Sequence, residues 1–420
     1  MASDKRASMR HGPLAALFSR TDTEEHKEEK EAGAPSPSER LRKAFNSETG
    51  AVVPGAHKRR HAPARAKPQG PVLRVVGVGG AGTNAVDRMI EAEVAGVEFL
   101  AVNTDLQSLQ QSAADTTVAI GQELTGGRGS GSDPTVGRQA ALADADVIKE
   151  SLKGSDMVFV TAGSGGGTGS GAAPIVARIA REVGALTVGV VTTPFAFEGK
   201  RRAEAAEHGI QALSDEVDTV IIVPNERLLS VLDKQTSMVE AFRVADDVLR
   251  QGVQGVSDLI TLPGLINLDF ADVCTIMSDA GTALLGIGIG SGEHRASEAA
   301  EQAVSSPLLE TSMDGARSIL LSITGGESLS LWEVNEAAKA VSAAAHPDAN
   351  IIFGATVDEK LSDEVWVTVV ATGYGDRGRR KSVRSMHEPA GEVRIKRAAP
   401  PAPALKRERD FDVPEFLPGR

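Results

Sequence analysis

The sequence predicts an α/β protein: a doubly wound parallel sheet, a long connecting helix and a second, smaller α/β domain. Three observations carry that expectation. Short apolar runs alternate with helical stretches from residue 72 to about residue 225, the pattern of parallel strands joined by crossover helices. One apolar stripe then runs at helical spacing from Met238 to Ile260, longer than an ordinary globular helix. Strand-like runs return between residues 318 and 372.

Order is expected to begin at Val72-Leu73-Arg74-Val75-Val76-Gly77, a buried strand that empties into a glycine turn. Further strands are read at 97–102, 157–161, 185–192 and 219–223, with helices at 85–93, 134–152, 172–183 and 201–217. Ligands of such sheets bind at the carboxyl ends of the strands. In the long helix, Met238, Phe242, Ala245, Leu249, Val253, Val256 and Ile260 recur at three- and four-residue steps, so the stripe reads as core. Gly252 and Gly255 lower its propensity but permit close packing, and Thr261-Leu262-Pro263-Gly264 ends it. The second α/β region has strands at 318–324, 350–355 and 365–372 and a helix at 331–345.

The resulting organisation is a charged, Ala/Pro-rich extension over 1–70 expected to be disordered, a Rossmann-like domain over 71–235, the connecting helix over 236–262 and the smaller domain over 263–373. A basic, Pro/Ala-rich linker follows over 374–408, expected to be disordered too, and a terminal peptide over 409–420 where apolar residues reappear.

Composition excludes several classes. Aromatic residues make up 3% of the chain, so the cores are built from Val, Ile, Leu and Ala. The single cysteine, Cys274, rules out an internal disulfide framework, and its apolar neighbours make it a packed thiol. The eight histidines show no metal-ligand spacing. No apolar run reaches the ~20 residues needed to span a membrane, and Leu14-Ala15-Ala16-Leu17-Phe18 is too short for a signal core. The net charge of −12 is uneven, at about +5 in each terminal segment and about −22 between them. An acidic body is not that of a general nucleic-acid binder. The basic cluster Lys58 to Lys67 could touch lipid or nucleic acid by charge, with a passive solvated tail as the alternative.

The chemistry lies in the glycine loops. Gly77-Val78-Gly79-Gly80-Ala81-Gly82-Thr83-Asn84 satisfies G-x-G-x-x-G, with Asp105 about 28 residues on. Alone it would read as a dinucleotide fingerprint and suggest a nicotinamide-dependent dehydrogenase. A second loop, Ala162-Gly163-Ser164-Gly165-Gly166-Gly167-Thr168-Gly169-Ser170-Gly171, again follows a buried strand and precedes an apolar helix. Two such loops at one sheet edge can wrap a chain of phosphates from both sides.

The segment Gly165-Gly166-Gly167-Thr168-Gly169-Ser170-Gly171 resembles the signature loop of the tubulin/FtsZ family, and residues 72–373 with the last dozen residues are similar to its bacterial cell-division branch. The resemblance implies a GTPase that binds GTP or GDP, with Mg²⁺ held mainly through phosphates and water. Gly80, Ala81, Gly82, Thr83 and Asn84 match the first nucleotide loop, and Gly167, Thr168 and Gly169 the phosphate-holding positions. Pro194 to Arg202 matches the ribose segment, where Glu198 and Arg202 would contact sugar and phosphate, although the pair is also a plain four-apart salt bridge. Asn225 matches the guanine-side asparagine, Phe242 a ring-stacking residue and Asp246 a base-reading carboxylate. A carboxylate can accept from guanine N1 and N2, and adenine offers no such pair. By itself, Asp246-Asp247 could be an exposed acidic turn and Phe242 could be core.

Asn267-Leu268-Asp269-Phe270-Ala271-Asp272 is similar to the loop that enters the nucleotide pocket of the next subunit. The resemblance implies that Asp269 and Asp272 polarise the attacking water and that Asn267 completes the site; the bland alternative is a helix start with Asp269 as N-cap. It further implies head-to-tail self-assembly in the cytoplasm, at the mid-cell division site, with Asp410 to Leu417 docking onto membrane tethers or division proteins. A tubulin-like filament protein with another task, such as DNA partition or cell shape, is the alternative. The chain departs from the family pattern in the loop Arg128 to Pro134, which by the resemblance aligns with a loop near the terminal phosphate. Smaller residues are usual at Ser130 and Ser132, and asparagine at Asp133. Ser164 also stands where methionine is usual.

Overall fold

Apolar, β-branched runs form the strands β1 (Leu73–Val78), β2 (Val97–Asn103), β3 (Thr116–Ala119), β4 (Met157–Gly163), β5 (Leu186–Thr193) and β6 (Thr219–Pro224). The second half adds β7 (Gly281–Ser291), β8 (Ser318–Gly325), β9 (Asn350–Val357) and β10 (Glu364–Thr372). This computed structural model describes residues 70–374 except 231, 233, 234, 263, 267, 307–312, 359 and 360. The expected N-terminal extension, the linker, the terminal peptide and Asn267 therefore lie outside the described residues.

Among these, the strands make one sheet in the order β3-β2-β1-β4-β5-β6-β7-β10-β8-β9. The six strands of the first half are all parallel. The chain steps outward from β1 to β3 and then returns to β4 on the other side of β1, so the order reverses between β1 and β4. Aspartates seal the amino ends of these strands. Asp156 accepts from the Val72 N–H at 2.7 Å, Asp115 from Phe99 N–H at 3.0 Å and Asp218 from Thr187 N–H at 2.9 Å. Each stands one residue before the neighbouring strand and satisfies an otherwise orphaned donor.

The helices of the first half are α1 (Gly79–Glu91), α2 (Leu106–Gln111), α3 (Gln122–Thr125), α4 (Pro134–Ala143), α5 (Ala145–Leu152), α6 (Gly167–Glu182), α7 (Lys200–Ser214) and α8 (Asn225–Leu228). Two expectations are corrected here. The helices expected from residues 85 and 172 begin at Gly79 and Gly167, because the glycine loops are themselves the first turns. The single helix expected over 134–152 is broken at Asp144, whose backbone leaves helical geometry (φ −108, ψ 25) and whose carboxylate accepts from the Gly121 N–H at 2.6 Å.

The long helix α9 (Met238–Thr261) is capped by Ser237, which accepts from the Glu240 N–H at 3.2 Å. It packs on α1, β5 and β6 and also on β8 and β9. Ala245, Leu249, Val253 and Val256 are buried as expected, but Met238 is 64% and Phe242 38% exposed. The apolar stripe thus outruns the core at its first turns.

α10 (Phe270–Met277) leads into β7, which pairs with β6 over three residues and then turns to run antiparallel to β10. Glycine recurs at 286, 288 and 290 on one face of β7, where any Cβ would overlap the carbonyls of Ala303, Ala299 and Arg295. The helix α11 (Arg295–Val304) consequently lies directly on the strand backbone. Its Arg295 reaches Glu333 at 2.6 Å, in the first turn of α12 (Leu331–Ala344), and so fixes one helix against the other.

Candidate functional site

Both glycine loops lie at the point where the sheet order reverses, at the carboxyl ends of β1 and β4. This is the crevice in which open α/β sheets hold their ligands. Gly79 has φ +73, and a Cβ on it would press on the Gly169 N–H and the Thr168 side chain. The first turns of α1 and α6 are therefore in contact, and their free N–H groups and positive dipole ends converge on one spot. Gly80, Ala81 and Asn84 are exposed there, while Gly82 and Thr83 are buried. Gly167, Thr168 and Gly169 form the buried first turn of α6. The Thr83 hydroxyl is buried without a hydrogen-bond partner among the described residues.

A third segment closes the cradle. Gly167 has no room for a side chain, because the Ser130 hydroxyl and the Asp133 backbone occupy that space. Asp133 caps α4, accepting from the Thr135 N–H at 2.8 Å, so its carboxylate is engaged by the protein.

Beyond β5, Glu198 and Arg202 form an ion pair, and Glu198 also accepts from the Phe195 N–H at 3.0 Å. The salt bridge foreseen for this pair does form, on the rim of the same edge. Phe195 is buried, stacks on Phe197 at 5.0 Å between centroids, and meets Phe242 edge-on at 5.5 Å. At the end of β6, Asn225 is 4% exposed and its carbonyl oxygen has no partner among the described residues. One turn along α9 from Phe242, Asp246 is half-buried, and burial pushes its carboxyl up to about 7, with Arg88 opposing and Asp247 adding to the shift. The two aspartates are not an exposed acidic turn. Asp247 is buried and accepts from Arg250 at 2.6 Å and Gln251 at 2.7 Å. Asp246 makes no such bond among the described residues, so an orphaned amide oxygen, a half-buried carboxyl and an exposed ring face are gathered at one end of the cradle. These suit a flat heterocycle that has both donors and acceptors.

Asp269 and Asp272 lie elsewhere. α9 starts at the carboxyl edge, where Phe242 meets Phe195, and finishes at the amino edge, where Thr261 packs against Gly96 just before β2. α10 ends at that same amino edge, where the Thr219 hydroxyl donates to the Met277 carbonyl at 2.5 Å. The described residues joining the two helices are thus tethered on the side of the sheet opposite the glycine loops. Asp269 is exposed and caps α10, accepting from the Asp272 N–H at 2.8 Å. Capping and a second role are compatible, since one carboxylate has several acceptor sites.

Sequence reasoning missed Asn103, Thr104 and Glu226. Asn103 ends β2 and accepts from the Thr104 N–H at 2.8 Å, and the Thr104 hydroxyl meets that of Thr168 at 2.7 Å. Glu226 accepts from the Ala196 N–H at 2.8 Å, holding the segment that carries Glu198. The signal available was Asn103-Thr104-Asp105 at a strand's carboxyl end. Asp105, the acid that a dinucleotide fingerprint would place on a ribose, is the N-cap of α2.

The comparisons agree with this geometry. Residues 72–233 match the Tubulin/FtsZ family, GTPase domain, and residues 281–375 match the FtsZ family, C-terminal domain. A point mutant of FtsZ from M. jannaschii is 45% identical, with 72% of this chain and 91% of that chain covered and a TM-score of 0.70. An empty FtsZ dimer from M. jannaschii is 41% identical, with 81% and 93% covered and the same TM-score of 0.70. CetZ2 from Haloferax volcanii, in a GTPγS-bound protofilament, shares the fold at 23% identity, with 73% and 95% covered and a TM-score of 0.61.

Proposed function

This chain belongs to the FtsZ family, and we propose that it is a GTPase whose subunits stack head to tail and hydrolyse GTP only at the contact between them. The observation that carries the proposal is the separation of the two halves of the machinery. The glycine cradle is at the carboxyl edge of the sheet, and Asp269 and Asp272 are beyond the far end of α9. That helix has 24 residues and so spans roughly 36 Å. No motion short of unfolding brings the two together in one chain, whereas stacking copies in one orientation apposes them.

In this proposal Phe242, Asn225 and Asp246 hold the guanine, with Asp246 accepting from N1 and N2. Glu198 and Arg202 hold the ribose and adjoining phosphate. Gly80, Ala81, Gly82, Thr83 and Asn84 wrap the phosphates from one side, and Gly167, Thr168 and Gly169 from the other. Asp269 and Asp272 of the incoming copy, with Asn267, accept from the attacking water and orient it for in-line displacement. The cradle floor presents hydroxyls (Thr104, Ser130 and Thr168) rather than carboxylates, a donor set that suits Mg²⁺ held mainly by phosphate oxygens and water. When bound, the ion neutralises charge that develops on the phosphates.

We assign the filament to cell division, as a cytoplasmic ring at mid-cell, on the 41–45% identity to FtsZ against 23% to CetZ2. Asp410 to Leu417 would recruit membrane tethers or division partners, and its removal should abolish that recruitment while leaving assembly intact. The deciding experiment is GTP hydrolysis per subunit against protein concentration, alongside sedimentation, for wild type and Asp272→Ala. Threshold activity, with a variant that pellets in GTP but barely hydrolyses it, is expected. Activity per subunit that stays flat with concentration would refute the shared site.

A further inference from the structure

The last two carbonyls of α10 belong to buried residues, and a threonine from each half of the sheet answers one of them. The Thr219 hydroxyl, at the start of β6, donates to the Met277 carbonyl at 2.5 Å. The Thr372 hydroxyl, at the end of β10, lies 3.5 Å from the Ile276 carbonyl and 3.3 Å from that of Ser318 on β8, so it shares one proton between them. Thr219 is 0% and Thr372 1% exposed. A helix leaves its last four carbonyls without intrahelical partners. The Ser278 N–H takes the Cys274 carbonyl at 2.9 Å, and the two threonines serve the buried pair.

α10 is the helix that is capped by Asp269 and carries Asp272. One side of it is buried: Val273, Ile276 and Met277 join the core, whereas Ala271 and Thr275 are exposed. It packs on β5 in the first half of the sheet and on β8 in the second. Apolar contact of this kind holds a short helix down but is non-directional, so it leaves the helix free to rock. Helix carbonyls lie along the axis, and donors set at the end of the helix therefore fix where the axis points. Ahead of α10 the chain is tied by Ile266, which exchanges backbone bonds with Ala355 on β9 at 3.2 and 3.1 Å.

The helix is a short lever. Asp272 precedes Met277 by five residues, which is roughly 7.5 Å along the axis. A tilt of about 8° about the clamped end moves Asp272 by roughly 1 Å, and a misplacement of that size is enough to cost on the order of a hundredfold in rate. Two hydroxyl bonds at one end thus govern the aim of the carboxylates at the other.

Resting on the GTPase proposal above, we infer that Thr219 and Thr372 are positioning residues for hydrolysis. By holding the carboxyl end of α10 they aim Asp269 and Asp272 at the nucleotide of the neighbouring copy. Both meet α10 on the side of the sheet opposite the glycine loops, so their loss spares GTP binding and lowers turnover. A hydroxyl that served folding alone would lower the melting temperature and leave turnover per assembled subunit unchanged. Thr187 supplies the comparison. It is buried at the amino end of β5, and its hydroxyl donates to the Ala185 carbonyl at 3.1 Å rather than to α10.

The test uses the full chain with GTP and Mg²⁺, well below its thermal midpoint. Turnover per pelleted subunit is measured above the assembly concentration, and affinity for fluorescent GTP below it. Wild type, Thr219→Val, Thr219→Ser, Thr372→Val and Thr187→Val are compared, with thermal midpoints as a check of folding. Thr219→Val is expected to lower turnover about three- to thirtyfold while GTP affinity stays within about twofold of wild type. Thr372→Val, which loses a longer and shared bond, should lower it about two- to fivefold. Thr219→Ser keeps the hydroxyl and should return to within about twofold of wild type, and Thr187→Val should turn over normally despite a similar fall in midpoint. Wild-type turnover in both Thr219→Val and Thr372→Val, an equal loss in Thr187→Val, or no recovery with serine overturns the inference and leaves the GTPase proposal standing. If Thr219→Val does not fold, Thr372→Val decides by the same criterion. Wild type whose activity per subunit stays flat with concentration overturns both.

Discussion

Replacing Asp246 by asparagine should stabilise the nucleotide-free protein at pH 8 and weaken its hold on GTP. The carboxyl is half-buried on α9, and burial raises it from its ordinary 3.8 to about 7. Between about pH 4 and pH 7 the folded chain holds a proton that the unfolded chain has lost, so folding stability falls as pH rises through this window and levels off above it. At about 1.4 kcal/mol per pKa unit the full penalty is about 4 kcal/mol, and hydration of the carboxyl's accessible side reduces it to about 2. Asparagine has nearly the same shape and no charge, so it escapes the penalty. The measurement is urea unfolding without nucleotide. With an m-value of about 3 kcal/mol/M, the variant's midpoint should rise by about 0.7 M at pH 8 and by much less at pH 5. In the same preparation, loss of two charge-assisted bonds to guanine should weaken GTP binding by at least about tenfold. A variant no more stable than wild type at pH 8, or stabilised equally at both pH values, would show that Asp246 is not held ionised against its surroundings.

Arg295→Ala should cost about 3 kcal/mol, because it strands the Glu333 carboxylate that Arg295 meets at 2.6 Å. Thermal unfolding should shift down by about 6–10 °C. Arg295 first, with the Ser330 bonds, holds the Glu333 carboxyl below its ordinary value against desolvation. The stability this confers is therefore complete above the unfolded value of about 4.3 and is lost as pH falls through the lower folded one. The wild-type acid limb should flatten in the variant. Gly167→Ala drives a methyl into Ser130 and the Asp133 backbone; it should cost about 1–3 kcal/mol and abolish nucleotide binding in a fluorescence titration. Asp156→Ala removes the acceptor of the Val72 N–H; with that edge open to water the loss should be about 1 kcal/mol by urea denaturation, with nucleotide affinity unchanged.

The parts of the fold that could be read in advance are those where side chains decide. β1, β4 and β5 are valine-rich runs buried on both faces, and Ala245 to Val256 on α9 keep helical phase. β3 was missed because Thr116-Thr117-Val118-Ala119 is short and lies at the sheet edge, with one fully buried apolar residue. β7 was missed for the opposite reason. Its glycines at 286, 288 and 290 lower strand propensity, yet they are what lets α11 reach the strand backbone, and only the partner helix reveals this. In the candidate site the glycine loops announced a phosphate cradle. Their contact through Gly79 and Gly169, and the meeting of Thr104, Ser130 and Thr168 from three elements, depend on crossovers that no local pattern encodes. Phe242 carried a double meaning in the sequence because its spacing is that of core. Its 38% exposure follows from α9 extending past the sheet.

The two halves of the sheet are joined unequally. β6 and β7 share three paired residues, whereas β7 and β10 share eight. The ladder is thinnest at that seam, so the halves form two potential units of cooperative unfolding, each able to open without the other. α9 opposes this, because it packs on β5 and β6 on one side and on β8 and β9 on the other. Under load along a filament, the few hydrogen bonds at the seam would yield first, and the buried face of one helix would carry the tension between the two halves.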